Sequence, residues 1–307
     1  MAKKWLAVLV VLIALAGGGA YFVWHEATAR LEVELARWTR ARTAEGWRIT
    51  HAPPIHTGFP FSAGLRLDQL RAESPMGLGW QAERLTLALV PQDIRQLRVV
   101  FGGAQALSHL NGITPVEYRS LGLRVRLDGR GGTLEGEQLR IGGLTDIGEV
   151  SAEFFGTAVN IRANRFVTQG LPGFDTVQVT GRLTRPPEAT VAAWRDAGGA
   201  VSLERGEFRT GEVVANMSAT LTLDAELQPE GRGTLQLTGA AEAVTLLTQA
   251  GFIAPTQAPM LRTVVSLAGR VPPEGGAPRV DVPVELRHRR LSVARLPVVM
   301  MPEIEWR

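Results

Sequence analysis

Five histidines, His25, His51, His56, His109 and His288, are the side chains best suited to acid–base or metal chemistry in a chain of 307 residues without cysteine. Only His51 and His56 lie close together, within His51-Ala-Pro-Pro-Ile-His56. A helical metal pair needs i, i+4 spacing and a third ligand, and neither is present, so both read as loop histidines. Ser62 comes nearest to a nucleophile elbow, but Pro60 stands where the first glycine is required. No lysine follows Lys4, which removes a P-loop lysine and a Schiff-base lysine from the body. Gly102-Gly103 and Gly129-x-Gly131-Gly132 lack the strand-to-helix setting of a nucleotide fingerprint and read as hairpin turns. Glu135 with Glu137, and Glu303 with Glu305, are same-face neighbours on extended chain rather than a catalytic pair. The absence of cysteine excludes disulfides, thiolate metal sites and a thiol nucleophile. No catalytic residue, metal ligand or cofactor is assigned, and a non-enzymatic protein is expected.

The elements that would position any site begin with an apolar leader. Lys3 and Lys4 precede Trp5–Trp24, 20 residues without a charge. At helical rise that length covers the roughly 30 Å core of a bilayer. Residues 1–4 are expected as a cytoplasmic tail and 5–24 as an uncleaved transmembrane signal-anchor, with Trp5, Tyr21 and Trp24 as its membrane-anchoring aromatics. The alternative is a signal peptide cleaved after Ala16, read from the small-x-small pattern Ala14-Leu15-Ala16, which would release the body as a soluble protein. Persistence of apolar character through Trp24 favours the anchor. The expected arrangement is a membrane crossed once, with the body on the far side from the N-terminus.

Beyond the leader the charge nearly cancels, 31 basic against 30 acidic residues, and every later basic residue is arginine. These arginines are scattered singly among acids, with Arg287, Arg289 and Arg290 as the one tight group, so nucleic-acid binding is not expected. Residues 25–46 read as a juxtamembrane helix: Leu31, Leu35 and Trp38 fall on one face, Glu26 and Arg30 form an i, i+4 pair, and Gly46 is a stop.

From 47 to 307 the period drops to two, as in Leu85, Leu87 and Leu89, Leu121, Leu123 and Val125, Leu221, Leu223 and Ala225, and Val282, Val284 and Leu286. Glycine-rich turns bound each run. Such one-sided alternation predicts antiparallel sheet with one apolar and one polar face. The expected fold is mainly β with an N-terminal transmembrane helix: a single β-rich domain whose long antiparallel sheet curves into a half-pipe or trough with a greasy interior. A few short helices accompany it, over 188–197 and 241–250. Residues 105–115 and 145–175 look irregular and leave room for further strands.

Two stretches carry a family resemblance. One is Gly46-Trp47 followed by Gly58-Phe59-Pro60-Phe61 and the alternation at Leu65 and Leu67. The other is Gly233-Thr-Leu235-Gln-Leu237, a short helix, Ala250-Gly251-Phe252-Ile253, strands around Leu291 and a closing Leu296-Pro297. With these the chain resembles the bacterial envelope family called domain of unknown function 2125. The resemblance implies one N-terminal membrane segment in the bacterial inner membrane with the body in the periplasm (soluble there if the segment is cleaved), a β-rich body of AsmA-like architecture and, by analogy with AsmA-like proteins, lipid handling in the envelope.

Two functions from different classes are expected to compete. In the first, Phe59, Phe61, Leu65 and Leu67 line an apolar groove that binds membrane lipid or a similar ligand, although alternating aromatics on a strand also serve simply as core. In the second, the body is a structural or assembly factor that docks other envelope proteins through sheet edges or an apolar patch.

Overall fold

The computed structural model describes residues 2–75, 77–90, 93–109, 112–128, 130–186, 190–271, 275, 277–293, 296–301, 303, 304 and 306, with the backbone alone at 2–17, 90, 94 and 296–299. The chain forms two compact units, Met1–Ile113 with Gly122–Arg130, and Thr114–Leu121 with Gly131–Arg307. As expected, it is mainly β, with long antiparallel ladders and a few helices.

The first unit opens with α1 (Ala2–Ala44). Gly46 ends it in the left-handed conformation, where its N–H and that of Trp47 donate to the carbonyls of Thr43 and Arg42. There follow β1 (Arg48–Thr50), β2 (Ile55–Thr57), β3 (Gly64–Glu73), β4 (Gly79–Val90) and β5 (Asp93–His109), then β6 (Gly112–Glu117) and β7 (Ser120–Arg126), which begin and end across the two units. Strands β1 and β2 both pair with β3, and the ladder continues through β4 and β5 to β7, all antiparallel. α1 runs beside β3. Its Leu31 is buried against Leu65, Leu67, Leu85, Leu87 and Val99, and Leu35 packs on the margin of that core. Trp38, placed on the same stripe by its spacing, stays exposed. The Glu26–Arg30 pair forms at 2.9 Å.

Among the described residues no helix is long and apolar enough to cross a membrane. The run expected to span, Trp5–Trp24, lies on α1, but its side chains up to residue 17, Trp5 included, fall outside those described.

In the second unit, β8 (Gly131–Ile141), β9 (Thr145–Phe155), β10 (Ala158–Thr168) and β11 (Phe174–Leu183) form an antiparallel meander, met at β8 by the end of β6. After α2 (Val191–Asp196) come β12 (Val201–Thr210), β13 (Val213–Leu223) and β14 (Pro229–Thr238). A helical hairpin of α3 (Ala240–Gln249) and α4 (Ala258–Ala268) leads to β15 (Arg279–Arg287), β16 (Arg290–Val293) and β17 (Leu296–Met300). Each strand pairs with the next, from β8 to β17. His288 and Arg289 both take positive φ in the tight turn between β15 and β16, so the arginine cluster is hairpin-turn chemistry. α2 and α3 match the two expected helices. α4 went unread because its Val264-Val265 and Leu267 mix helical with β-forming cues.

The stretches that look irregular in sequence are strands. β5 runs to His109, and β9 and β10 occupy most of 145–175. Their apolar residues switch parity part way along, Ile147 to Val150 and Ala163 to Phe166. Arg165 sits between the latter two with φ 54°, a left-handed residue within a ladder that keeps its register on both sides. Gln138 of β8 (φ 50°) and Gln69 of β3 (φ 55°) do the same. One such residue reverses which neighbours face the core, so the two-residue period breaks while the strand continues. Gly148 lies across from Arg165, where an added Cβ would meet the guanidinium.

Candidate functional site

The four residues expected to line a groove do not share one. Leu65 and Leu67 are 0% and 2% exposed, sealed beneath α1. Phe59 and Phe61 stand on a turn rather than on the strand their alternation suggested, because β3 begins only at Gly64. Phe61 is 86% exposed and Phe59 47%. Gly58 accepts from the N–H groups of Phe61 and Ser62 and itself takes φ 95°, where an added Cβ would collide with Ser62.

That turn closes against α1. The Phe59 ring lies 5.8 Å from Tyr21 and 5.5 Å from Trp24, both edge-on, and the Trp24 indole N–H donates to the Thr57 carbonyl at 3.2 Å. One turn further along, Thr28 is fully buried. Its hydroxyl lies 3.0 Å from the carbonyl oxygens of Trp24 and His25 and 3.4 Å from Nδ1 of His56. Nε2 of His56 donates to the Glu32 carboxylate at 2.8 Å. His56 thus pairs with His25, ring centroids 6.1 Å apart, and not with His51, whose ring bonds to the Ala52 carbonyl. Helical spacing of Tyr21, Trp24, Thr28 and Leu31 was visible in sequence; their partners across the fold were not.

A second apolar surface spans the sheet of the second unit. Paired residues form uninterrupted apolar rows across it. One runs Phe154, Val159, Gly181, Leu203, Ala219, Gly233, Val284, Val293 from β9 to β16. The next runs Ala152, Ile161, Val179, Gly206, Met217, Leu235, Val282 from β9 to β15. One residue beyond the second row, and on the other face, runs Ser151, Arg162, Gln178, Glu207, Asn216, Gln236, Asp281. A bulge at Glu204-Arg205 in β12 keeps Leu203 and Gly206 on the apolar side. Eight strands at about 4.8 Å give an apolar face about 34 Å wide.

This face is not sealed as the first unit's is. Apart from Gly181 and Gly206, every residue of the two apolar rows is half-buried. Among the described residues, helices close only its ends. At one end Val213 and Val280 are buried together with Ala240, Ala243 and Val244 of α3, which packs on β13. At the other, α2 is capped by the Thr190 hydroxyl and tied to the turn after β13 by Arg195, whose guanidinium donates to the carbonyls of Asp224 and Ala225. Near the α3 end, Phe166, Phe174 and Phe208 form a chain of rings 6.3 and 5.7 Å apart.

The opposite, polar face of β12 to β15 holds a shallow cavity of about 700 Å³. Two of its arginines, Arg205 and Arg209, share the Glu207 carboxylate, at 3.0 and 3.2 Å. Among the described residues no three His, Asp or Glu side chains come together as a metal site.

A β-rich body with one sealed and one half-open apolar face is what the geometry defines. The chain belongs to the bacterial family described as an uncharacterized protein conserved in bacteria, domain of unknown function 2125, which matches residues 24–185 and 173–302. No curated protein and no solved structure matches it.

Proposed function

We propose that this protein is a non-enzymatic component of the bacterial envelope, anchored in the inner membrane by residues 5–24 with its body in the periplasm, that holds the acyl chains of a membrane lipid on the apolar face of β9 to β16. The observation that carries this reading is the half-buried state of that face. An uncharged surface so wide has a strong drive to leave water, about 25 cal/mol for each Å² covered, and an acyl chain supplies cover without needing hydrogen bonds. The half-pipe shape and AsmA-like architecture belong to the same proposal. Their support is that Gly231 and Gly233 lie on the apolar side, where an added Cβ would run into the backbone of β13, so the sheet is free to curl toward that face. The groove is accordingly assigned to the second unit and not to Phe59, Phe61, Leu65 and Leu67.

Docking of a partner envelope protein is the second reading, and α4 favours it: Met260, Val264 and Leu267 form an exposed apolar stripe at helical spacing.

Native mass spectrometry and lipid extraction on the full chain, purified from bacterial membranes in mild detergent, test the first reading. Wild type is expected to carry phospholipid. Ala219→Trp fills the face without adding charge, and Leu203→Asp charges it; both are expected to lose the lipid while keeping the thermal unfolding midpoint within a few degrees. A well-folded wild type that is consistently lipid-free would remove the reading's support and leave the partner surface on α4.

A further inference from the structure

We propose that the Gly58–Ser62 turn is a second membrane-contact element, seated with the exposed side of α1 at Tyr21–Val23 in the interfacial layer of the bilayer. The inference rests on the membrane anchor proposed above, and not on the lipid-holding face.

Level is the first argument. α1 and β3 run side by side. Residues 21–44 of the helix rise about 35 Å, and the ten residues of β3 extend about 33 Å. The contacts of Tyr21 and Trp24 with Phe59 therefore fix the turn at the height where the uncharged run Trp5–Trp24 ends, with the strand pointing away from it. A helix that leaves a bilayer at Trp24 carries this turn at the headgroup boundary.

Composition is the second. The segment 52–65 contains no Asp, Glu, Lys or Arg. Phe61 at 86% exposure, Phe22 at 70% and Val23 at 68% face outward together with Tyr21, Ile55 and part of Phe59. In water such a group is costly to display. At the interface, rings with a polar edge such as Tyr and Trp are at home, and flanking Phe and Val bury in the acyl boundary. The Trp24 N–H is already satisfied by Thr57, so that ring can lie against lipid without an orphaned donor.

Continuity with the apolar run selects lipid as the occupant over a protein surface. A turn held at the boundary also gives the body a second attachment point, which restricts its tilt and rotation about α1.

The absence of cysteine allows single nitroxide labels to be placed cleanly. Phe61→Cys, Phe22→Cys, Leu12→Cys and Leu78→Cys are labelled in the full chain, reconstituted into vesicles of phosphatidylethanolamine and phosphatidylglycerol. Collision rates with oxygen, which concentrates in lipid, are compared with those of a water-soluble nickel chelate. Leu78 is the control: it is exposed on the turn at the far end of the β3–β4 hairpin. The expected result is an oxygen-to-nickel ratio several-fold higher at residues 61 and 22 than at 78. A ratio at 61 equal to that at 78 overturns the proposal. If the label at 12 then still reads as lipid, the anchor stands and only the turn's seat fails; if 12 also reads as water, both fall. Shielding of residue 61 from both reagents would indicate a protein occupant and equally overturn it.

Discussion

Truncating one leucine in each apolar surface tests whether the two faces differ as the structure requires. Leu67 is 2% exposed under α1, whereas Leu235 is half-buried in the β9–β15 row. Leu67→Ala removes three buried carbons, worth about 2.4 kcal/mol at about 0.8 kcal/mol each, and leaves a cavity that Leu31, Leu85 and Leu87 cannot collapse into, so the loss is about 3 to 4 kcal/mol. Leu235→Ala removes the same carbons from a surface that is already open. No enclosed void is left and only part of the transfer energy is lost, about 1 kcal/mol. At about 2–4 °C per kcal/mol, unfolding midpoints are expected to fall by about 6–16 °C and by about 2–4 °C. Thermal denaturation of the full chain in one detergent, followed by circular dichroism, reads both. Equal losses of about 3 kcal/mol would refute the reasoning, because they would make Leu235 part of a closed core and leave no face for a ligand.

Three further outcomes are expected. Thr28→Val removes the hydroxyl that meets two helix carbonyls and His56 Nδ1 and should cost about 1–2 kcal/mol in urea unfolding, whereas Thr39→Val removes a hydroxyl oxygen buried without a partner and should be neutral or stabilising. Arg165→Val places a β-branched residue at φ 54° and should destabilise by about 1–2 kcal/mol, while Arg165→Gly should be neutral or stabilising; the same unfolding assay decides. The Arg130 N–H bonded to Asp128, helped by the Arg126 guanidinium, holds the Asp128 carboxyl below its ordinary range. A depressed folded value means this contribution is present above the unfolded-state pKa of about 3.9 and is lost as pH falls through the lowered one, so Asp128→Asn should flatten the acid limb of a stability–pH profile.

Particular elements show what could be read from the chain. The helix ending at Gly46, the strands around Leu85, Leu121, Leu221 and Val282, and the α3 helix were legible because each keeps a single period between clear stops. β9 and β10 were not, since Arg165 at positive φ and the glycine opposite reset the period inside a continuous ladder. Phe59 and Phe61 continue the alternation of Leu65 and Leu67 in sequence, yet the chain turns at Gly58–Ser62 and only the leucines join the strand. The partnership of His56 with His25 and Glu32 had no local signal, because it joins a helix to a strand 24 or more residues further along the chain.

By itself, the sequence determined the balance of faces. Alternating apolar and polar residues commit each strand that keeps a single period to one greasy and one wet side. Which greasy side is sealed was decided only by tertiary structure. α1 lies along β3 and covers Leu65 and Leu67, whereas α2 and α3 reach only the ends of the β9–β16 face. Burial depends on which elements meet across the fold, and period-two patterning reads the same whether a helix, a lipid or water lies against it.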